Sequence, residues 1–327
     1  MYPPNRLVEL GEMEQATAML GANIVSVGVI GCGTVGHAIT QITAQAGIGV
    51  TVVEISEGAL AAGRARISRS LARLASAEKL GDQTPEEIEA RIHGTLDYGD
   101  LADCRLVVEA VYEDLDTKLR LWRALDGVLA AEAVCATNTS SLAVIDQAVA
   151  TGRPERFVGL HFFNPPQVML LVEVIRTVST SPAALELALA YVARLGKEPV
   201  PAADRAGFIV NRLLVPYAMD AVRILEAGHG SMPGIDTAMR AGAGYPMGPF
   251  ALLDFIGLDI VLAICETMFA EYREQRFSAP PTIRRLVAAG FLGRKSGRGF
   301  YDYSGGEPAP ADLALGGSPP AAAQAAG

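Results

Sequence analysis

Through about two-thirds of the chain one pattern recurs: a short apolar run, a glycine or polar break, then a longer stretch with apolar side chains every three or four positions. The short runs Ser26–Ile30, Val50–Val53, Leu106–Ala110, Val134–Ala136, Phe157–Leu160, Leu171–Ile175 and Pro199–Pro201 predict strands. Between them, Gly58–Ala77 and Glu113–Ala130 predict helices, the latter with Leu115, Leu119, Trp122, Leu125 and Leu129 on one face. Such alternation is the signature of an α/β fold whose parallel sheet is covered on both faces. From about Ala206 the strands stop, and Phe208–Glu226, Asp236–Met239, Phe250–Tyr272 and Thr282–Ala288 read as helices. The shift near Ala203–Gly207 marks a boundary between residues 23–205 and residues 206–303. Residues 1–22 read as an extension, and residues 304–327, mostly Ala, Gly, Pro and Ser, as a flexible tail too poor in apolar surface to order itself. There is no internal repeat.

Composition narrows the function more than the fold. The 327 residues carry a formal net charge of −9, which gives the chain no electrostatic reason to seek nucleic acid or an anionic membrane. Cys32, Cys104, Cys135 and Cys265 are scattered and form no CxxC pair, which argues against a metal site or a disulfide framework and suits a reducing, cytoplasmic compartment. Met1–Ala22 holds Glu9, Glu12 and Glu14 and no apolar run of signal-peptide length, so no export signal is expected. Gln15–Val53 lacks formal charge altogether. Its glycines, threonines and glutamines nevertheless read as strand, turn and buried helix rather than as a membrane span.

The first strand runs into Gly31-Cys-Gly33-Thr-Val-Gly36, a GxGxxG turn that opens a helix. Gly31 permits the tight turn, Gly33 lets a pyrophosphate reach the backbone, and Gly36 lets helix and strand pack closely. The free N–H groups of the helix N-terminus then face the phosphates. The next strand ends in Glu54, 18 residues after Gly36, where a carboxylate accepts hydrogen bonds from ribose hydroxyls and repels a 2′-phosphate. Together these features point to NAD rather than NADP.

Polar residues gather where strands end: Thr137-Asn-Thr-Ser140-Ser141 after the fourth strand and His161-Phe-Phe-Asn164 after the fifth. Ligands of open α/β sheets bind at the carboxyl ends of strands, so both segments belong to a cleft. Glu173 lies inside an otherwise apolar strand, where a carboxylate needs a partner, and the short link between the two strands makes His161 that candidate. A His–Glu pair suits removal of a hydroxyl proton during hydride transfer, with the carboxylate holding the imidazole tautomer. Ser140 and Asn211 are candidates to hold the hydroxyl. Read separately, each has a plainer meaning: a structural histidine, an edge-strand glutamate, a helix-capping serine.

Gly31-Cys-Gly-Thr-Val-Gly36, Val108-Glu-Ala-Val-Tyr-Glu113, Asn138-Thr-Ser-Ser141, Gly159-Leu-His-Phe-Phe-Asn-Pro165, Gly207-Phe-Ile-Val-Asn-Arg212, Gly244-Tyr-Pro-Met-Gly-Pro249 and Gly293-Arg-Lys-Ser-Gly-Arg-Gly-Phe-Tyr301 resemble the (S)-3-hydroxyacyl-CoA dehydrogenases, in order, from about Ile24 to Tyr303. The resemblance implies a Rossmann-like dinucleotide-binding domain followed by an all-helical C-terminal domain through which two subunits dimerise. It implies that His161 is the acid/base, Glu173 its orienting partner, and Ser140 and Asn211 substrate contacts. It assigns Glu54, Ala110, Glu113, Lys118, Ser140 and Asn164 to NAD and Ser70 to the CoA substrate.

One position departs from the family pattern. Where relatives carry a CoA-contacting lysine seven residues after that serine, this chain has Ala77, with Lys79 beyond. Arg64, Arg66, Arg69 and Arg73 on the same helix either replace that contact or form a solvated face, and the solvated face is the simpler reading. The expected reaction is therefore NAD-dependent oxidation of a short-chain 3-hydroxyacyl-CoA such as 3-hydroxybutyryl-CoA. A hydroxyacyl group on acyl carrier protein, or a free hydroxy acid, stays open as an alternative. A non-catalytic role, such as that of the related lens crystallins, is disfavoured because Ser140, His161, Glu173 and Asn211 are all present.

Overall fold

The computed structural model describes residues 24–313, and the expectations for residues 1–22 and for the far end of the tail lie outside them. The described chain divides between Phe208 and Ile209 into two compact units. The first is built on an eight-stranded sheet in the order β3-β2-β1-β4-β5-β6-β7-β8. Its strands are β1 Ser26–Ile30, β2 Gly49–Val53, β3 Ile92–Thr95, β4 Leu106–Glu109, β5 Val134–Thr137, β6 Phe157–Phe162, β7 Leu171–Arg176 and β8 Glu198–Ala203. The order reverses between β1 and β4, and there the carboxyl ends of the strands open the crevice of a Rossmann-like fold.

The alternation of side chains along the central strands feeds two cores. Val27, Val29, Val52 and Val108 face Ile39 of α1 (Gly36–Gln45), Ile67 and Leu71 of α2 (Glu57–Ser76) and, farther along the sheet, Tyr191 of a later helix. Ile30, Val107, Cys135 and Phe157 face the opposite way, toward Trp122 and Leu125. The indole of Trp122 meets Phe157 edge-on at 4.8 Å and donates to Gln147 Oε1 at 3.2 Å, which satisfies its buried N–H.

Several elements differ from the sequence expectation. β3 was not expected: Ile-His-Gly-Thr has one buried apolar residue and no alternating signal, and it pairs only with β2. The sheet is mixed, because β7 runs antiparallel to β6. The link from Phe163 to Leu170 is too short for the crossover that a parallel partner requires. β6 continues through Phe162, so His161 lies within the strand rather than after it. The short helix α3 (Pro85–Glu89), started by a Thr84–Glu87 capping box, was also unanticipated. The predicted helix Glu113–Ala130 is α4, Leu115–Asp126, begun by the Asp114 side chain. α5 (Val144–Ala148) and α6 (Pro182–Arg194) complete the layer of helices.

The second unit holds α7 (Val210–Glu226), α8 (Met232–Ala243), α9 (Pro249–Ile256), α10 (Leu258–Tyr272) and α11 (Pro281–Ala288). The expected single helix Phe250–Tyr272 is split into α9 and α10 by Gly257, whose φ of 102° no helical residue shares. Asp236 of α8 accepts the Phe250 and Ala251 N–H groups at the start of α9. The first part of the supposed tail is ordered by pairing: β10 (Ala309–Pro310) lies antiparallel to β9 (Tyr301–Asp302), and Ala311 N donates to Phe300 O at 2.9 Å. Backbone pairing needs no apolar side chains, which is why composition alone misjudged residues 304–313. Among the described residues, no helix is long and apolar enough to cross a membrane.

Candidate active site

The glycine turn places three bare Cα positions in different surroundings. A Cβ at Gly31, where φ is 90°, would stand 2.8 Å from the Ala110 carbonyl, and one at Gly36 would overlap the Gly31 carbonyl. At Gly33 a Cβ would meet no protein atom within 4 Å. The first and third glycines are therefore demanded by the fold, whereas the second leaves open space over the helix N-terminus, where a pyrophosphate would lie. These residues fit the dinucleotide that the turn implies. Accordingly, Gly33→Ala is expected to keep Tm within about 2 °C of wild type while weakening NADH binding about tenfold or more. Gly36→Ala is expected to lose stability and binding together. Thermal melts and NADH fluorescence titrations of both variants check the contrast.

Glu54, at the end of β2, reaches back to the same turn: Oε1 accepts Cys32 N–H at 2.5 Å and Oε2 accepts Ile55 N–H at 3.1 Å. Its carboxylate thus stands beside the glycine turn, at the edge where a ribose would arrive. Ala110 follows β4 directly, with its N–H donated to Ile30 O at 2.8 Å.

Beyond β4 lies a group of ions, two of them, Glu109 and Lys118, with no access to water and the third, Glu113, partly open to it. Lys118 is fully buried, 2.8 Å from Glu109 Oε1 and 3.0 Å from Glu113 Oε2. Glu113 Oε1 accepts the Thr139 hydroxyl at 2.5 Å, the Ser140 N–H at 2.9 Å and the Ser141 N–H at 3.2 Å. Burial alone pushes the Glu113 carboxyl up; the Lys118 ammonium and these donors outweigh it and hold it below the usual carboxylate range. From sequence Glu109 has no assigned role, and Thr137 and Thr139 only a place in the segment that lines the cleft. For Glu109 a signal existed: a carboxylate closing the apolar run Leu-Val-Val, with a lysine nine residues on, is the same anomaly that exposed Glu173.

His161 and Glu173 are register partners across the antiparallel β6–β7 pair. His161 Nδ1 and Glu173 Oε2 are 2.7 Å apart, and both residues are buried. With the carboxylate accepting from Nδ1–H, the lone pair of the ring falls on Nε2, which has no hydrogen-bond partner among the described residues. Phe163 and Phe208 flank the ring at 4.5 and 5.4 Å between centroids. The Ser140 loop is tied to this strand through Asn138, whose Oδ1 accepts Phe162 N–H at 3.0 Å. Ser140 is half-buried and its hydroxyl makes no hydrogen bond among the described residues. The first unit thus brings His161, Glu173 and the Ser140 loop to the ends of adjacent strands. Asn164 is exposed just beyond β6, before the cis bond to Pro165. Asn211 belongs to the second unit, half-buried on the first turn of α7.

Ser70 is buried on α2, and its helix carries the basic residues seen in the sequence. Arg64, Arg66, Arg69 and Arg73 are exposed, as a solvated face would be. Arg66, Arg69 and Arg73 also line, with His37, Ser70 and Ala72, a cavity of about 470 Å³. None of these three arginines is ion-paired among the described residues. His37 Nδ1 lies 2.7 Å from Gly33 O. Burial, assisted by Arg66 and Arg69 against that hydrogen bond, moves the imidazole below its ordinary value. The uncharged ring donates to the turn and leaves the positive charge to the arginines.

Comparison with known proteins points to one family. Residues 26–205 match the model of the 3-hydroxyacyl-CoA dehydrogenase NAD binding domain, and residues 207–303 that of the 3-hydroxyacyl-CoA dehydrogenase C-terminal domain. The chain is 44% identical over 282 residues to a 3-hydroxybutyryl-CoA dehydrogenase of Mycobacterium tuberculosis, covering 86% of this chain and 99% of the relative. It is also 44% identical over 282 residues to the mitochondrial hydroxyacyl-coenzyme A dehydrogenase of Homo sapiens, covering 84% and 90%. The crystal structure of (S)-3-hydroxybutyryl-CoA dehydrogenase from Ralstonia eutropha superposes with a TM-score of 0.84 at 40% identity, covering 86% of this chain and all of that one.

Proposed function

This chain belongs to the 3-hydroxyacyl-CoA dehydrogenase family, and from that premise we propose that it interconverts a short-chain (S)-3-hydroxyacyl-CoA, such as 3-hydroxybutyryl-CoA, and the 3-ketoacyl-CoA. It is an NAD-dependent oxidoreductase. The observation that carries the proposed chemistry is the buried His161–Glu173 hydrogen bond with Nε2 left free. Bound NAD supplies the acceptor for the hydride from C3. His161 Nε2 takes the 3-hydroxyl proton, and Glu173 stabilises the imidazolium that results and keeps the ring aligned. Ser140 and Asn211 hold the hydroxyl, and the carbonyl that replaces it. Gly31, Gly33, Gly36, Glu54, Ala110, Glu113, Lys118 and Asn164 serve the dinucleotide.

The carrier is read as CoA. Its phosphates lie far from the reacting carbon and need cations, which Arg66, Arg69 and Arg73 offer around Ser70 in place of the lysine that Ala77 displaces. We place the reaction in the cytoplasm, supported by four cysteines that are all buried and free. Leu213, Ile224, Phe255 and Ile260, exposed on helices of the second unit, support a homodimer through that unit.

The test is consumption of NADH with acetoacetyl-CoA. Rapid turnover with NADH and at least about 100-fold lower kcat/KM with NADPH are expected, since Glu54 repels a 2′-phosphate. A folded, NADH-binding protein that ignores acetoacetyl-CoA would sink the CoA reading. In the same assay, replacing Arg66, Arg69 and Arg73 together by alanine is expected to raise KM for acetoacetyl-CoA about tenfold or more. KM for the acetoacetyl thioester of N-acetylcysteamine, which lacks the phosphates, should stay unchanged.

A further inference from the structure

Glu109 closes β4 with no surface exposed to solvent. Both of its oxygens are fully used: Oε1 accepts Val111 N–H and Lys118 Nζ, each at 2.8 Å, and Oε2 accepts the Thr137 hydroxyl at 2.6 Å and Lys118 Nζ at 3.0 Å. A carboxylate so occupied offers nothing to a ligand, yet burying it is costly unless its charge is compensated. The compensation runs toward the site. Lys118 shares its ammonium with Glu113, and Glu113 in turn holds Thr139, Ser140 and Ser141 through one oxygen. At the other end of the same loop, Thr137 is bonded to Glu109 itself and Asn138 N–H is donated to Glu109 O at 2.8 Å. The segment Thr137–Ser141 is therefore gripped at both ends by two carboxylates that one buried lysine bridges.

We propose that Glu109 is a positioning residue: through Lys118 and Glu113 it sets the place of the Ser140 loop, and so of the Ser140 hydroxyl. This rests on the reading that Ser140 meets the substrate. With Glu109 neutral, Lys118 has one charged partner instead of two and moves toward Glu113, and Glu113 draws back from the Ser140 N–H. Every group around Glu109 donates to it, so an amide at this position faces a donor with a donor.

A double-mutant cycle separates positioning from general damage to the fold. Glu109→Gln, Ser140→Ala and the double variant are compared by kcat with NADH and acetoacetyl-CoA, by NADH affinity and by thermal melting. Displacement of a reacting group by a fraction of an ångström to an ångström lowers turnover steeply, so Glu109→Gln is expected to lose about tenfold or more in kcat. NADH affinity is expected to fall as well, since Lys118 and Glu113 serve the dinucleotide, so kcat is read at saturating NADH. In the Ser140→Ala background the same change should cost less than about threefold, because the hydroxyl it positions is gone. Equal losses in both backgrounds overturn the proposal while leaving Ser140 in the mechanism. A silent Ser140→Ala overturns both the proposal and the assigned role of Ser140. If Glu109→Gln does not fold, Thr137→Val, which removes one hydrogen bond to Glu109, replaces it in the cycle; a smaller loss that vanishes with Ser140→Ala supports the proposal, and an additive one overturns it.

Discussion

His161→Ala is expected to lower kcat by about 10³–10⁴-fold while NADH still binds. The variant removes the group whose Nε2 is placed to take a proton on β6, and it leaves the glycine turn and Glu54 untouched. Its buried neighbour Glu173 loses the 2.7 Å hydrogen bond, so some stability goes too, and turnover is read on protein shown to be folded by its NADH titration. Glu173→Gln is the companion. It keeps the shape but presents either an oxygen without charge or a competing N–H to Nδ1, and in the second case the ring adopts the wrong tautomer, with its proton on Nε2. A fall of about 10²–10⁴-fold in kcat, with KM nearly constant, is expected. Turnover near wild type in either variant would remove the pair from the mechanism.

Lys118→Met should give the largest loss of stability of any single change near the site. It leaves Glu109 buried, and Glu113 beside it, with no cation between them, and breaking a buried ion pair from one side costs about 3–5 kcal/mol. For a chain of this size that corresponds to a fall in Tm of about 6–20 °C. The pH dependence gives the effect a sign. In the wild type Glu113 is held below its ordinary value of 4.5, so its contribution is complete above that pH and is lost as the pH falls through its lowered folded value. Without Lys118, burial raises the Glu113 carboxyl, the folded state binds more protons than the unfolded one, and stability declines as pH rises. The difference in Tm between wild type and variant should therefore be larger at pH 8 than at pH 5, whereas loss of an exposed pair would leave a small gap, nearly equal at the two pH values. Melting curves at the two pH values decide it, and a gap that widens on acidification refutes the account.

What the amino-acid sequence discloses by itself is uneven for physical reasons. The glycine turn, β1, β2 and Glu54 were legible because each depends on local chemistry: residues without side chains, an apolar run, a lone acid at its end. His161 and Glu173 were legible as a pair only because a buried carboxylate demands a partner. That they face one another across an antiparallel ladder was overlooked, although the short link from Phe163 to Leu170 leaves no room for a parallel crossover. Glu109 escaped notice because its partners, Lys118 and Thr137, lie on separate elements that meet only in the fold. The arginines of α2 show as a charge pattern, but the cavity they border with His37 exists only once α1 and α2 pack. Gly257 breaks a helix through a positive φ that its apolar neighbours conceal.

The pairing of His161 with Glu173 in the β6–β7 register also says how this chemistry tolerates change. Opposed residues of an antiparallel pair have a spacing fixed by the sheet itself, about 4.5–5.5 Å between Cβ atoms. The alignment of proton acceptor and carboxylate is thus inherited from backbone hydrogen bonds made at folding. Past Phe163-Asn-Pro165, the rest of the connection to β7 is free to lengthen, shorten or change character while the two strands keep their count. A slip of one residue would turn one partner to the opposite face of the sheet and leave nothing to repair it. Variation in such an enzyme should accordingly be tolerated in residues 166–170 and nearly absent from the parity of the strands beside it.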